Sequence, residues 1–460
     1  MRTLPVVAAL LTLSAAGVCA QESQTHADFR GEGLRFQQSC EKFNLPDCVD
    51  LLLTDHPLHI AFGSIAPQDG FGAGAAYVGH WTPNENWRDS WNFDAVGSSN
   101  GSWRAGGYFK FIRTTPEKIT ITTTTSGPPP RSNLHVHPYP VFNLFAQAIS
   151  LNTLYYYGLG PNSLESDKTA FGMTETIAGA NAILPVWRAL DLSLNGEVNG
   201  RFVDLRPNHG QSSPSIEQVF TEATAPGLTY QPPFVQFGEG ARLEPALFSN
   251  HLQLDYLAQF EQFVAPSDSR YSFRRFTADV SHTIPLYRNS GSYGPRNFNG
   301  PDECATGVGA KCPSIQRNRE GSIAVRLIIT ESIANAGSVV PFYFQPTLGG
   351  SDINGNSWLP SYNDYRFRAP NAILLRESIE HSIWGPVGLF FSSDQGKVSL
   401  TRGNINFNNL DASFSAGLTL RAGGLPALTL AFAWGGPEAV HTIATVNSSL
   451  LGGSARPSLF

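Results

Sequence analysis

The feature that most limits what this chain can fold into is a two-residue alternation of apolar and polar side chains, repeated in segments long enough to cross a bilayer. From Leu190 to Phe202 one face carries Leu190, Leu192, Leu194, Gly196, Val198, Gly200 and Phe202, and the other Asp191, Ser193, Asn195, Glu197, Asn199 and Arg201. Successive side chains of a strand point to opposite faces, so this segment offers one face to lipid and one to water. The pattern returns in Leu252, Leu254, Tyr256, Ala258 and Phe260 against Gln253, Asp255, Gln259 and Glu261, interrupted only by Leu257. It returns again in Ile323, Val325, Leu327 and Ile329 with Arg326 opposite, and in Leu428, Leu430, Phe432 and Trp434 with only Thr and Ala opposite. A tilted membrane strand needs about 9–11 residues, which these segments supply.

The first twenty residues read as a secretory signal: Arg2, an apolar stretch from Val6 to Leu13, and Val18-Cys19-Ala20 as a small-residue cleavage site before Gln21. Lipid attachment at Cys19 is the rival reading, disfavoured by Val18 in the preceding position. Beyond the signal no run approaches the roughly eighteen apolar residues of a membrane helix. Charged residues make up 15% of the chain and there are 44 Gly, 32 Pro and 30 Phe but 2 Met; that mixture suits strands and turns rather than helices. Removing Arg2 from the 31 basic residues leaves 30 against 37 acidic ones, with no basic run, which argues against nucleic acid as a partner.

Sixteen candidate strands lie near 58–66, 70–81, 88–98, 101–113, 141–157, 169–185, 188–204, 249–265, 270–287, 322–333, 339–346, 366–382, 386–394, 409–422, 425–435 and 438–451. The expected fold is all-β: a transmembrane antiparallel barrel of about 16 strands, an even number that lets both ends lie on the periplasmic side. Residues 1–20 are then the signal peptide, 21–57 an N-terminal periplasmic segment or plug, 58–451 the barrel and 452–460 a C-terminal tail. Leu451 and Phe460 both qualify as the end of the closing strand, and Pro457 favours Leu451. Long connections after the fourth, seventh, ninth and eleventh candidates, such as 205–248 and 288–321, contrast with tight ones at Val186-Trp187 and Gly423-Gly424. This predicts long loops outside and short turns in the periplasm.

Four cysteines remain after the signal, as Cys40 with Cys48 and Cys304 with Cys312. An oxidising compartment suits two local disulfides, each contributing about 2–3 kcal/mol, the second stapling an external loop. A single four-thiolate zinc site is the rival, without the close Cys-x-x-Cys spacing common there.

Other motifs have plainer readings. Gly97-Ser98-Ser99-Asn100-Gly101 fits a serine-hydrolase elbow, but a strand rather than a helix follows from Ser102, so it reads as a hairpin turn. His135 and His137 share one face of an extended loop with no third ligand nearby, and Thr122–Thr125 is ordinary strand material. Trp81, Trp87, Trp91, Trp103 and Trp434 fall near expected strand ends, as an interfacial girdle requires.

Several stretches resemble the bacterial surface antigen family, the barrels of outer-membrane assembly and translocation factors. Tyr155-Tyr156-Tyr157-Gly158-Leu159-Gly160-Pro161-Asn162-Ser163 and Ile284-Pro285-Leu286 are similar to its strand ends. The most specific region is 340–398: Val340-Pro341-Phe342, Leu348-Gly349-Gly350-Ser351-Asp352, Tyr365-Arg366-Phe367-Arg368 and Phe391-Ser392-Ser393-Asp394-Gln395-Gly396-Lys397-Val398. The resemblance implies that the loop after Gly349-Gly350 folds into the lumen. There an arginine in an aliphatic-Arg-Gly-aromatic tetrad would meet the strand on which Asp394 and Gly396 stand. Here the tetrad reads Leu359-Pro360-Ser361-Tyr362, so its arginine is missing, and Arg366 or Arg368 is the expected substitute partner of Asp394. Family members that work in assembly or secretion carry periplasmic domains ahead of the barrel that capture clients by strand addition, for which 21–57 leaves no room.

The expected protein is therefore an integral barrel of the cell outer membrane, acting in translocation or passage, or else a plugged structural or surface-interaction barrel. A secreted soluble β-protein is a third class, which would have to cover faces such as Leu428 to Trp434 with another sheet. No catalytic centre, cofactor or metal is expected. The partners are outer-membrane lipid, the barrel-assembly machinery and a separate periplasmic protein.

Overall fold

A computed structural model describes residues 58–84, 86–113, 139–208, 212–248, 250–291, 315–384, 386–422, 425–438 and 440–446. The signal, the 21–57 segment, all four paired cysteines, Thr122–Thr125, His135, His137 and the tail from 452 lie outside the described residues.

Among the described residues sixteen long strands form the wall, each paired antiparallel with the next. They are β1 (Leu58–Ser64), β2 (Phe71–Asn84), β3 (Trp87–Ser98), β4 (Trp103–Arg113), β5 (Val141–Tyr156), β6 (Thr169–Trp187), β7 (Leu192–Pro207), β8 (Phe234–Leu243), β10 (Leu252–Val264), β11 (Phe273–Gly291), β12 (Ile315–Ala334), β15 (Asn371–Trp384), β16 (Val387–Ser399), β17 (Asp411–Ala422), β18 (Leu425–Trp434) and β19 (His441–Val446). A two-residue strand β9 (Ala246–Leu247) continues the pairing of β8 along β10. The pair β13 (Thr347–Leu348) and β14 (Phe367–Arg368) stands apart, inside the segment between β12 and β15.

Two neighbouring residues of that segment show how the sheet closes. Asp364 accepts a hydrogen bond of 2.6 Å from Gln68 Nε2, between β1 and β2. Asn363 donates its backbone N–H over 2.9 Å to Glu438, between β18 and β19. The first and last hairpins thus meet at adjacent residues, and the sheet curls into a barrel around the segment.

The wall is inverted relative to a water-soluble protein. On β7, Leu194, Val198 and Phe202 are 46%, 45% and 57% exposed, whereas Asn199 and Arg201 are 2% and 1% exposed. The same holds on β16, where Leu389 and Phe391 face out and Ser392 and Asp394 are buried, and on β18, where Leu430, Phe432 and Trp434 face out. Apolar side chains outside and polar ones inside are what a sheet surrounded by lipid requires. Among the described residues no helix is long and apolar enough to cross a membrane.

The strand total agrees with the sequence reading, but through two compensating differences. Residues 234–243, inside a stretch read as loop, form β8, paired with both β7 and β10. Residues 339–346, read as a strand, instead contain a 3₁₀ turn at Phe342–Phe344 within the lumen. The strand read as 366–382 likewise begins at Asn371, because Phe367 and Arg368 belong to the internal pair.

Inserting β8 reverses the chain's direction and changes the sidedness of the loops. Of the long connections, 114–140 and 292–314 join strands at the end where β1 begins and β19 finishes; 208–233 and 335–370 lie at the opposite end. They are divided between the ends rather than gathered on one.

Exposed Trp81, Trp87, Trp187 and Trp384 ring that terminal end, and Trp103 and Trp434 the other. Trp91 is not part of either ring: it lies within β3, so close over Gly79 that a Cβ there would come within 2.3 Å of its indole nitrogen. Gly97 to Gly101 joins β3 to β4 as a hairpin, in which Asn100 Oδ1 accepts from Ser98 Oγ over 2.5 Å and from Ser102 N–H over 2.9 Å.

Candidate functional site

Residues 335–370 enter the lumen from the end opposite the termini and occupy that end of it. Their fold depends on the glycine pair. Gly349 and Gly350 have φ of 102° and 60°, and a Cβ on them would lie 2.4 Å from Arg366 Cβ and 2.3 Å from Asp364 Oδ1. Only glycine tolerates both the backbone conformation and the approach of the returning chain. The outgoing and returning legs are then laced together: Gly349 N donates to Trp358 O, Trp358 N to Gly350 O and Tyr365 N to Gly349 O, at 2.9–3.0 Å.

The tip is held by the wall, and here the expected partner of Asp394 proves wrong. Asp394 is 0% exposed, and its cation is Arg376, directly opposite on β15, with Nε donating to Oδ1 over 2.6 Å and Nη2 to Oδ2 over 2.5 Å. Arg376 Nη2 also donates to Ser357 O, and Asp394 Oδ2 accepts Leu359 N–H at 3.0 Å. The ion pair thus grips the loop backbone on both sides of Trp358. The Trp358 ring is flanked by Arg376 at 4.6 Å and Arg326 at 5.2 Å, and these two arginines face each other across the β12–β15 ladder. Arg326 is balanced by Asp279 at 2.6–2.9 Å. Leu359 is fully buried and held at φ 49°, a conformation that a non-glycine residue adopts at a cost of about 1–2 kcal/mol. The arginine missing from the loop tetrad is supplied by the wall instead.

Arg366 and Arg368 anchor the returning leg. Arg366 Nε donates to Glu438, and its terminal nitrogens donate to Ser163 Oγ at 2.8 Å and Ser163 O at 2.7 Å. Arg368 is buried with no carboxylate beside it among the described residues: Nη1 donates to Phe342 O over 2.7 Å, and burial pulls its guanidinium down to about 10. Tyr362 donates to Asp411 at 3.4 Å and packs edge-on against Phe367. Gly396 makes room for the plug, since a Cβ there would press on Leu348 at 3.2 Å and Ile373 O at 2.9 Å.

The outgoing leg begins with an aromatic anchor. Phe342, Tyr343 and Phe344 are buried among Tyr156, Phe171, Phe234, Phe263 and Phe273, with ring centroids 4.5–6.2 Å apart. Arg275 of β11 donates to Phe344 O and lies over the Phe263 and Phe273 rings at 5.3 and 5.5 Å. The residues that sequence reasoning missed are chiefly Arg376, Trp358, Glu438 and this aromatic turn. Arg376 carried a usable signal: it and Asp394 stand almost equally far from the turn at Gly385-Pro386.

Ion pairs mark how far the plug extends. Near its level, Glu175 and Arg201 meet at 3.0 Å and are each 1% exposed. Toward the terminal end, Arg242 and Asp255 meet at 2.8 Å on the same inner face yet are 46% and 44% exposed. Among the described residues the lumen is therefore a cup, filled at one end and, at the Arg242–Asp255 pair, open to water toward the other.

No family model and no curated protein matches this sequence. Among solved structures the chain is similar to BamA from Haemophilus ducreyi lacking POTRA domains 1–3 (TM-score 0.45, 11% identity, covering 84% of this chain and 67% of that one). It is also similar to CdiB from Escherichia coli (0.48, 11%, 85% and 62%) and CdiB from Acinetobacter baumannii (0.42, 11%, 80% and 53%). The chain thus spans between about half and two thirds of the length of these proteins.

Proposed function

We propose that this protein is an integral barrel of the bacterial outer membrane, held shut at rest by residues 335–370, and that release of this plug opens a passage across the membrane. The observation that carries the reading is the cup: an apolar exterior, a polar inner wall whose Arg242–Asp255 pair toward the terminal end is open to water, and a plug whose Trp358 is clamped to the wall by Arg376 at the other end. Lipid would surround the outward face, the assembly machinery would insert the barrel, and the open vestibule is the end at which a separate periplasmic protein would meet it. In this reading the chain performs transport rather than catalysis, and its cargo is set by what the vestibule admits.

Outer-membrane fractionation and heat-modifiable gel migration test the location. In planar bilayers the intact protein is expected to be nearly silent, and deletion of 347–364 to give steady conductance. Equal current from the two would overturn the plug; silence from both, with the barrel folded, would overturn passage. A purely structural barrel is the second reading, favoured by how deeply the plug is packed, with Phe342 and Leu359 wholly buried.

A further inference from the structure

The open half of the lumen carries unmatched positive charge on one side. Phe93, Phe109 and Phe142 face outward on β3, β4 and β5. The alternate residues Asn92, Tyr108 and Gln147 are buried on the inner face, where Tyr108 Oη donates to Gln147 over 2.7 Å. Side chains alternate along a strand, so Arg88 shares the inner face with Asn92, and Lys110 shares it with Tyr108. Both are exposed although they point inward, which places them in the water of the vestibule. Lys110 stands opposite Ser90, and Arg88 is its diagonal neighbour on the same ladder, at about 7–8 Å, within the reach of two long side chains. Among the described residues neither makes an ion pair or a hydrogen bond. Asn143, opposite Lys110 on β5, donates over 2.6 Å to Asn181 Oδ1 and leaves the Asn181 amide N–H groups with no partner among the described residues. Further round the wall, from β8 to β12, the balance is reversed. There Glu244, Asp255 and Asp279 outnumber Arg242 and Arg326, and each guanidinium lies 2.6–3.2 Å from a carboxylate.

We propose that Arg88 and Lys110 form an anion-docking site of the vestibule, which takes the carboxylate or phosphate of a polar solute, with the Asn181 amide as a further donor. Two like charges on diagonal positions repel each other and no contact of the fold offsets this, so an anion between them is favoured. Charge displayed on a low-dielectric wall also raises the local concentration of solutes of opposite sign. The acidic side repels the same group, so a solute enters with its anionic end toward β3 and β4. The site rests on the reading of this vestibule as open to water, but not on release of the plug.

The test uses the full chain in a nonionic detergent, with a thiol introduced by Ser90→Cys beside Lys110 or, on the acidic side, by Gln253→Cys. Modification at each position by a sulfonate-bearing and by a trimethylammonium-bearing methanethiosulfonate is read by mass. Position 90 is expected to favour the anionic reagent about tenfold more than position 253 does, with the difference fading in about 1 M salt. Citrate or inorganic phosphate, at constant ionic strength, should slow an uncharged reagent at position 90; protection by one and not the other tells carboxylate from phosphate. Arg88→Gln/Lys110→Gln should abolish preference and protection while heat-modifiable migration is unchanged. Equal preference at the two positions, protection by neither anion, or effects that survive the double variant would overturn the site. Silence of the plug deletion in bilayers would sink passage and leave the docking result standing.

Discussion

Asp394 retains a buried charge because register, not loop sequence, provides its cation. Arg376→Ala would leave that carboxylate alone and release Ser357 O, costing about 3–5 kcal/mol. We expect the temperature of heat-modifiable migration to fall, and the exchange of Arg376→Asp with Asp394→Arg to recover part of the loss. Recovery by Arg366→Asp or Arg368→Asp with Asp394→Arg would refute the assignment. The family resemblance pointed to Asp394 but not to its partner, because the resemblance concerns residues along the chain and the pair arises across a ladder. A second prediction concerns Tyr362, whose phenol is pushed up to about 12, first by burial and then by Asp411. The folded state favours the neutral phenol, so this contribution is complete below the ordinary value near pH 10 and is lost as pH rises through about 12. Phenolate absorbance should show one fewer high-titrating tyrosine in Tyr362→Phe, whose plug contacts should also be less sensitive to pH between 10 and 12. An unchanged titration would contradict this environment.

At the scale of elements, legibility follows from how many faces each segment presents. β7 was readable because lipid and lumen lie on its two sides and its side chains alternate accordingly. β8 was not: Gly238 and Gly240 weaken its inward face, and Glu239 interrupts the outward one beside Phe237. Residues 339–346 misled in the opposite way, since Val340-Pro341-Phe342-Tyr343-Phe344 is apolar enough for a strand but is buried on every side by the plug's surroundings. This turn anchors the plug and not the wall. Phe344→Ala should therefore cost roughly 3–5 kcal/mol in plug docking while the strand ladders remain intact. In bilayers the variant is expected to flicker open yet migrate as a folded barrel on unboiled gels; loss of the folded band would mean the aromatic turn supports the barrel itself.

For the whole molecule, direction is the property that one missed strand altered most. Among the described residues sixteen strands bring the chain back to the end from which it started, and β8 decides which end the loops between it and the plug occupy, 292–314 among them. With the termini in the periplasm, the plug's two legs and the 400–410 connection lie at the cell surface, and the open vestibule faces inward. That orientation places the ring of Trp81, Trp87, Trp187 and Trp384 at the inner interface and Trp103 with Trp434 at the outer one. An epitope inserted after Asn404 should then be detected by antibody on intact cells, whereas one in 188–191 should appear only after the outer membrane is permeabilised. Labelling of 188–191 on intact cells would invert the barrel, and with it the side from which any cargo must approach.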